Sequence, residues 1–320
     1  DYPSKIAAGK PEEIRRCLRC NECLGEVMKS CGISCAVNPE AGKEYESFVG
    51  VSPATSKKRV AVVGAGPAGM QATLTATERG HDVTLYEKED RLGGALYHVG
   101  IPDFKLDYRD YTDYIINAVK KCGAKIVTGT KVDGDTLAKG GFDVIIVATG
   151  ASTFKPPIDG TKDESILDPL KVLEGGIPEG LDVVVSGAGL VGCEVAMFLA
   201  EKGKNVTMID MLPEPAPDMP IYTKWVLNSK LAELGIKIKT DHEIVEMTGK
   251  HVRCKHDGNI TEFIADAVVC ALGLKSRKQL TEELRDKLKN TVDIIPVGDT
   301  NSPRKIMQAV HEGFHAARRI

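Results

Sequence analysis

The chain has 320 residues, enough for about two domains, and its 42% hydrophobic content is that of a globular protein. A net charge of −3, without a long basic block, gives nucleic-acid binding no electrostatic support. No apolar run reaches the ~18 residues that indicate a membrane span, and the start, DYPSKIAAGK, lacks the apolar region of a secretory signal. We expect a cytoplasmic protein that binds neither membrane nor nucleic acid. A first residue other than Met indicates a fragment or a processed product.

A cysteine-rich segment opens the chain. Five of the nine cysteines lie between Cys17 and Cys35, in the order CLRCNEC, then Cys31, then Cys35. Three cysteines at two-residue gaps, followed by a distant fourth, are typical of thiolate ligation of a [4Fe–4S] cluster. Zinc is the competing metal, but its sites more often use two separated pairs of cysteines. The spacing predicts one cluster with Cys17, Cys20 and Cys23 as ligands, and it leaves Cys31 and Cys35 open as the fourth.

A buried strand, a glycine turn and a helix follow from Arg59, in RVAVVGAGPAGMQATLTATERG. Gly64 permits the tight turn, Gly66 lets a pyrophosphate approach the backbone, and Gly69 lets helix and strand pack closely. The helix N-terminus offers free N–H groups to the phosphates. Glu87 ends the next strand, where a carboxylate can accept both hydroxyls of an adenosine ribose. Together these features predict a dinucleotide site.

The same pattern recurs about 123 residues later, in LDVVVSGAGLVGCEVAMFLAEKG. Its glycines are Gly187, Gly189 and Gly192, and Asp210 stands where Glu87 stands in the first copy. No Arg or Lys follows Asp210 in MLPEPAPDMP. A 2′-phosphate there would meet like charge, at a cost of ~1–4 kcal/mol, so we expect NADH rather than NADPH.

The remaining segments complete an α/β pattern. FDVIIVATG and AVVCALG are apolar strands that end in small-residue turns, and PIDG marks a crossing into another domain. The tail, IIPVGDTNSPRKIMQAVHEGFHAARRI, is a strand, a loop and an amphipathic helix. Alternating strands and helices predict parallel sheets and two Rossmann-like domains. The dispersed histidines indicate no catalytic constellation, and no CxxC follows either glycine turn, so we assign no catalytic side chain and no redox-active disulfide.

These motifs occur in an order that identifies a family resemblance. The run CLRCNECL, CAVNP, VAVVGAGPAGM, LYEKEDRLGGAL, VIIVATGA, VVVSGAGLVGCEVAMFLAEKG, AVVCALG, VGD and PRKIMQAVHEG resembles the C-terminal half of the iron–sulfur old-yellow-enzyme-like flavoproteins. That group includes 2,4-dienoyl-CoA reductase, 2-enoate reductase and trimethylamine dehydrogenase. The resemblance covers nearly the whole chain. The stretch GGALYHVGIPDFKLD is also similar to the small subunit of glutamate synthase.

The resemblance implies a glutathione-reductase-like fold in which the NAD(P)H domain is inserted in the FAD domain. The implied parts are a cluster segment with its linker at 1–56, an FAD domain at 57–157 with 266–320, and an NAD(P)H domain at 158–265. The implied cluster ligands are Cys17, Cys20, Cys23 and Cys35. The implied FAD contacts are Gly64, Gly66, Pro67, Ala68, Gly69, Glu87, Lys88, Arg91, Gly94, Leu96, Val132, Ala148, Thr149, Gly150, Gly298, Asp299, Lys305, Ile306 and Met307. The implied NAD contacts are Gly187, Gly189, Leu190, Val191, Gly192, Glu194, Asp210 and Gly273.

The function implied by the resemblance is electron transfer. Such a module moves a hydride from NAD(P)H to FAD and single electrons on to the cluster. Members of the group also carry an N-terminal (β/α)8 barrel, absent here, in which FMN reduces an enoyl or enoate substrate. That barrel is the expected partner. Alternatively, this chain is a stand-alone diaphorase-like subunit whose partner is a separate electron-accepting chain. A further alternative is a structural module that binds only ADP, against which the presence of GDT, PRK and LGGAL favours FAD.

Overall fold

The computed structural model describes residues 2–44, 51–289 and 291–320. They form two compact units: the described residues up to Ser152 with Ser276–Ile320, and Thr153–Lys275. None of the described helices is long and apolar enough to cross a membrane.

The helices are α1 (Tyr2–Ala7), α2 (Glu22–Met28), α3 (Pro67–Glu78), α4 (Ala95–Val99), α5 (Leu106–Lys121), α6 (Gly134–Lys139), α7 (Pro169–Leu173), α8 (Leu190–Glu201), α9 (Ile221–Glu233), α10 (Gln279–Leu288) and α11 (Ile306–Arg318), with 3-10 turns at Pro11–Glu13, Asp103–Lys105 and Gly298–Thr300. The strands are β1 (Arg59–Val63), β2 (Asp82–Tyr86), β3 (Lys125–Val127), β4 (Val144–Val147), β5 (Ala151–Thr153), β6 (Asp182–Ser186), β7 (Asn205–Ile209), β8 (Lys237–Lys239), β9 (Glu243–Met247), β10 (His251–His256), β11 (Asn259–Ile264), β12 (Ala267–Cys270), β13 (Leu274–Ser276) and β14 (Asp293–Pro296).

The first unit is built on a parallel sheet in the order β14-β4-β1-β2-β3. Val60 and Val62 of β1 pack in one core on one face of this sheet, while Ala61 and Val63 pack in another core on the opposite face. Burial on both faces explains why β1 is a continuous apolar run without alternation. Helix α11 packs against α3, and Gly313 makes this possible because a Cβ there would lie 2.2 Å from the Ala68 carbonyl oxygen.

The second unit repeats this arrangement with a parallel sheet in the order β12-β6-β7-β8, to which an antiparallel sheet of β9, β10 and β11 is added. The class predicted from the sequence, α/β with two Rossmann-like folds, is confirmed. Residues 153–157 and 266–275, which the resemblance assigned to the FAD domain, lie in the second compact unit. For residues 266–275 the reason is that β12 pairs with β6, as β4 pairs with β1 in the first unit.

The cysteine-rich segment is part of the first unit. Leu18, Ala36 and Val37 are buried in that unit's core. Ion pairs tie the segment to both ends of α5, from Arg19 to Asp107 at 2.5 Å and from Glu13 to Lys121 at 3.1 Å. Residue 1 and residues 45–50 of the predicted segment 1–56 lie outside the described residues.

Candidate cofactor-binding sites

The first glycine turn leaves its backbone open above the middle glycine. Gly64, in the turn between β1 and α3, has φ +103°, and its N–H donates to the Tyr86 carbonyl at the end of β2 at 2.8 Å. A Cβ on Gly69 would lie 1.8 Å from the Gly64 oxygen, so no side chain fits there. A Cβ on Gly66 would meet no atom within 4 Å. A phosphate can therefore approach Gly66 at the N-terminus of α3.

Glu87 is held beside this turn by backbone donors. Its side chain is nearly buried, and its Oε2 accepts a hydrogen bond from the Ala65 N–H at 2.7 Å. Its Oε1 accepts one from the Glu89 N–H at 3.0 Å. A carboxylate has about four lone-pair positions, so each oxygen keeps capacity for a ribose hydroxyl.

More of the predicted FAD residues gather at the same edge of the sheet. Ala148, Thr149 and Gly150 follow the carboxyl end of β4, and Gly298 and Asp299 follow that of β14. In parallel α/β sheets ligands bind at this edge. Thr300, which the sequence did not single out, joins the two loops, because its Oγ1 accepts a hydrogen bond from the Gly150 N–H at 2.8 Å.

Asp299 is supported by a residue that sequence reasoning missed. Glu312, on α11, accepts a hydrogen bond from the Gly298 N–H through Oε2 at 2.8 Å and forms an ion pair with Arg304. Arg304 in turn donates its backbone N–H to Asp299 Oδ1 at 3.1 Å. Burial raises the pKa of the Asp299 carboxyl above its ordinary value, as expected for a polar group enclosed beside a cleft. Glu312 carries no sequence signal, since it is one of several charged residues in an amphipathic helix.

The remaining predicted FAD residues lie in the core, near the glycine turn, or in contact with other side chains. Leu96, Val132 and Met307 pack in the cores of the first unit, with Ile306 partly buried against the same core as Leu96. Gly94 lies close to the turn, since a Cβ there would be 2.9 Å from the Cα of Gly66. Pro67 and Ala68 form the first turn of α3. Lys88 pairs with Glu89 at 2.8 Å, and the Arg91 guanidinium carbon lies 3.2 Å from the centroid of the Tyr97 ring.

The second glycine turn has the same backbone geometry as the first. Gly187 also has φ +103°, and its N–H donates to the Ile209 carbonyl at 2.8 Å. A Cβ on Gly192 would lie 1.9 Å from the Gly187 oxygen, and one on Gly189 would meet nothing within 4 Å. The internal repeat in the sequence therefore corresponds to two copies of one backbone geometry.

Asp210 occupies the position of Glu87 in this second copy. Its Oδ2 accepts a hydrogen bond from the Ala188 N–H at 2.6 Å, and its Oδ1 accepts one from the Leu212 N–H at 2.9 Å. No Lys or Arg in the described part of the chain forms an ion pair with Asp210, and Lys224, on α9, is paired with Glu214 at 2.7 Å. No cation among the described residues therefore offsets the Asp210 side chain through an ion pair.

The other predicted NAD residues surround the same turn. Leu190 is exposed, and Val191 is partly exposed beside it in the first turn of α8. Glu194 is nearly buried on that helix. Gly273 follows β12 with φ +112° and accepts a hydrogen bond from the Phe154 N–H at 3.0 Å.

The cysteine loop bends sharply at its first three cysteines. Arg19 and Asn21 lie in the two gaps between these cysteines, and both have left-handed backbone, with φ of 51° and 56°. Such values are uncommon for residues other than glycine and indicate a loop held by its surroundings. The Arg19 N–H also donates to the Cys17 Sγ at 3.3 Å, a contact of the kind that stabilises metal-bound thiolates.

Cys31 and Cys35, which the spacing alone could not separate, have different surroundings. Cys35 is partly buried against the core, and its carbonyl accepts a hydrogen bond from His311 Nε2 on α11 at 2.8 Å. It also forms an antiparallel bridge with Asn38, whose Oδ1 accepts a hydrogen bond from Arg15 at 2.6 Å. Cys31 is exposed and directs its Sγ at the carbonyl of Lys29.

The described cysteines do not form a ready-made metal site. In the described ranges no three His, Cys, Asp or Glu side chains converge on a point that one ion could occupy. The four thiolates of a [4Fe–4S] cluster bind four separate irons, so they need not converge in this way. All nine cysteines are free, and burial together with the nearby Glu22, Cys17 and Cys35 charges raises the pKa of Cys20. Three of the four predicted ligands thus lie near one another.

A contact within the first unit links the cysteine loop to the predicted flavin site. Lys305, which precedes α11, donates from Nζ to Glu22 Oε1 at 2.7 Å. Glu22 begins α2 and adjoins Cys23. The loop that would approach the flavin ring therefore touches the segment that would hold the cluster.

The model of the pyridine nucleotide-disulphide oxidoreductase family matches residues 58–303. The chain belongs to this family. It is an oxidoreductase of the NAD(P)H-dependent group related to enoate reductases, and membership of the pyridine nucleotide-disulphide oxidoreductase family implies binding of FAD and NAD(P). The predicted resemblance to the old-yellow-enzyme-like flavoproteins is confirmed by the proteins to which this chain is similar.

Three relatives illustrate the match. The NADH oxidase of Thermoanaerobacter brockii is 36% identical over 328 residues, which cover 100% of this chain and 50% of the relative. The cinnamate reductase of Clostridium sporogenes is 32% identical over 324 residues. The match covers 100% of this chain and 48% of the reductase. A solved 2-naphthoyl-CoA reductase complex superposes with a TM-score of 0.93 at 30% identity, over 100% of this chain and 48% of that one. The chain thus spans about half the length of the curated relatives it matches.

Proposed function

We propose that the chain is an electron-transfer module that oxidises NADH, with FAD and a [4Fe–4S] cluster as its redox groups. The observation that carries this proposal is the repeated open glycine turn, at Gly66 and at Gly189, each beside a carboxylate held by two backbone N–H donors. When bound, FAD accepts the two electrons of a hydride and can release them singly, as a one-electron cluster requires.

The residues of the first unit would hold FAD. The Gly64–Gly69 turn and α3 would bind the pyrophosphate, and Glu87 the adenosine ribose. Asp299 would bind the ribityl chain. Lys305, Ile306 and Met307 would lie near the ring, and the remaining predicted contacts would line the path between the two ends of the cofactor.

The second unit would bind NADH, and the cysteine loop would bind the cluster. Asp210 would accept the ribose hydroxyls and repel a 2′-phosphate. Cys17, Cys20, Cys23 and Cys35 would supply thiolates, with Cys31 outside the ligand set. The Lys305–Glu22 contact supports close approach of the two redox groups. No side-chain acid or base is needed for hydride transfer between nicotinamide and flavin.

The electrons would leave the cluster for a separate site. The relatives are about twice as long as this chain, which supports an N-terminal FMN barrel as the acceptor. The names of two relatives, a cinnamate reductase and a 2-naphthoyl-CoA reductase, support an unsaturated acid or its thioester as the final substrate.

Matched variants of the two open glycines test the proposal. Valine at Gly66 or Gly189 meets no protein atom within 4 Å of its Cβ, so both variants should fold. We expect Gly66→Val to lose flavin absorbance after anaerobic purification. We expect Gly189→Val to keep flavin and iron but to resist bleaching by NADH. A wild-type protein without flavin bands, or a Gly189→Val protein that NADH bleaches as readily as wild type, would refute the assignment.

A further inference from the structure

A cavity in the first unit lies apart from the predicted cofactor sites. Its volume is about 350 Å³, and its walls are formed by the cysteine-rich segment with its linker and by α3, α5 and α11. The α3 residues that line it lie between Gln71 and Glu78, beyond the glycine turn. None of its described lining residues is among the predicted contacts of FAD, NAD or the cluster. A cavity of this size can hold a small organic molecule.

Two carboxylates of this cavity have no partner within the described part of the chain. The Glu40 and Glu78 side chains line it, and neither forms a hydrogen bond or an ion pair with another described residue. Burial and the neighbouring charge of Glu40 raise the pKa of the Glu78 carboxyl above its ordinary value, whereas the charge of Arg15 acts in the opposite direction. The two acids therefore lie close enough for their charges to repel each other.

Arg15 is the one cation among the described lining residues, and most of its donors are in use. Its Nε donates to the Tyr114 hydroxyl at 3.3 Å, and its Nη1 donates to Asn38 Oδ1 at 2.6 Å. One guanidinium against two carboxylates leaves one negative charge of the cavity without compensation. A cationic ligand would supply that compensation.

A buried amide adds a further acceptor to the wall. Gln71 is 6% exposed, and its Nε2 donates to Thr75 Oγ1 at 3.1 Å. The Gln71 carbonyl oxygen has no partner among the described residues. Buried polar atoms usually bind water or a ligand when the protein offers them no partner. The cavity thus offers acceptors in excess of donors.

The rest of the wall is largely apolar. Leu74, Ala118 and Phe314 line the cavity from three different helices. No three His, Cys, Asp or Glu side chains of the described ranges are placed to hold a metal ion. An organic ammonium suits both parts of the wall. Its N–H groups donate to carboxylates, and its carbon body packs against apolar side chains.

We propose that this cavity binds a small organic amine in its ammonium form, with the ammonium at Glu40 and Glu78 and the carbon body against Leu74 and Phe314. The site goes beyond the proposed function and requires neither flavin nor nicotinamide. Arg15 also holds Asn38, which is paired with Cys35. The bound amine would therefore contact the wall that fixes the cysteine segment.

An NMR titration of the full chain with 2-phenylethylamine and with n-butylamine tests the proposal. Their neutral counterparts, 2-phenylethanol and n-butanol, are the matched controls. At least one amine should bind with a dissociation constant on the order of 1 mM or below, within the range open to so small a ligand. Its alcohol should bind at least about tenfold more weakly, because it lacks the charge-assisted hydrogen bonds.

Glu78→Gln should weaken amine binding by about tenfold or more, as expected for loss of a hydrogen bond between charged groups. The variant should fold, because glutamine has nearly the same shape and the Glu78 side chain has no hydrogen bond to lose within the described residues. Glu282→Gln, an exposed change on α10 outside the cavity, should bind the amine as wild type does.

Cys122 lines the cavity and reports on its occupancy. The amine at ten times its dissociation constant should slow labelling of Cys122 by methyl methanethiolsulfonate about tenfold, since only about a tenth of the cavities are then empty. The exposed Cys31, outside the cavity, should be labelled at an unchanged rate, as resolved by mass spectrometry of peptides.

Three results would each overturn the inference: neither amine binds, the alcohols bind as tightly as the amines, or Glu78→Gln binds as wild type does. Binding without protection of Cys122 would place the amine elsewhere and overturn it as well. Protein that binds the amine but lacks flavin and iron would leave this site standing and refute the proposed function instead.

Discussion

At the scale of single residues, the two candidate fourth cysteines make opposite predictions. Cys35→Ser should lose most of the iron and sulfide, because Cys35 is fixed against the core by its bridge to Asn38 and by His311. Cys31→Ser should keep both, because Cys31 is exposed and its Sγ contacts a local carbonyl, that of Lys29. Iron and sulfide analysis of the anaerobically purified variants is the measurement.

Flavin content is the internal control for this pair. Its binding motif begins only at Gly64, so both serine variants should retain FAD. Full iron in Cys35→Ser together with loss in Cys31→Ser would reverse the assignment, and zinc in place of iron would remove the electron-transfer role.

The choice of nicotinamide cofactor also belongs to one residue. Asp210→Asn combined with Leu212→Arg should raise kcat/KM for NADPH relative to NADH by roughly tenfold or more, because it exchanges a repelling carboxylate for a cation next to the 2′-phosphate. Asparagine keeps one oxygen, so it can accept from only one of the two backbone donors, Ala188 or Leu212, and the single variant Asp210→Asn measures the effect of losing the other. Steady-state kinetics with both cofactors is the measurement, and Asp210→Asn alone is the control. A wild type that already prefers NADPH would contradict the role given to Asp210.

At the scale of secondary-structure elements, α11 supports the flavin site through Glu312. Glu312→Gln should weaken FAD binding by about tenfold. The neutral amide has a single oxygen, so it cannot both accept from the Gly298 N–H and replace the ion pair with Arg304. Flavin retention on dilution is the measurement. Glu282→Gln on α10 is the control, since Glu282 is an exposed carboxylate in the same unit. Equal retention in both variants would show that Glu312 does not position Asp299.

Elements with strict local requirements could be predicted from the sequence. The turns at Gly64 and Gly187 need positive φ and close helix packing, so the sequence must have glycine there and predicts the turns directly. The strands beside them are continuous apolar runs because both sheet faces are covered. The boundary near residue 266 could not be predicted in this way, since AVVCALG has the same local pattern in either unit and only its pairing with β6 decides the matter.

Contacts between distant elements were out of reach of sequence reasoning. Helix α5 lies against the cysteine segment through ion pairs at each end, and neither Asp107 nor Lys121 differs in sequence from an ordinary surface charge. The same holds for Glu312 and Thr300, whose roles depend on partners far along the chain. The motifs therefore predicted the backbone of the site. The roles of these side chains depend on tertiary contacts and could not be predicted.

At the scale of the whole molecule, the activity of the chain should stop at electron transfer. The isolated chain should oxidise NADH with ferricyanide as acceptor and should not reduce an enoyl thioester, because it matches only about half of each relative. Parallel steady-state assays with the two acceptors are the measurement. A mixture with a separately produced FMN barrel from a relative is the positive control. Enoyl reduction by this chain alone would contradict the division of labour proposed here.

The insertion of one unit within the other bears on how the protein is made. Residues 153–275 form a continuous stretch, whereas the first unit waits for Ser276–Ile320. That late stretch supplies β14 at the edge of the first sheet and α11 against α3. A ribosome delivers residues in order, so the inserted unit can finish folding during translation while its host still lacks an edge strand and a covering helix. The host therefore stays open until Ser276–Ile320 has been synthesised, which makes the nascent first unit the part that needs protection from aggregation.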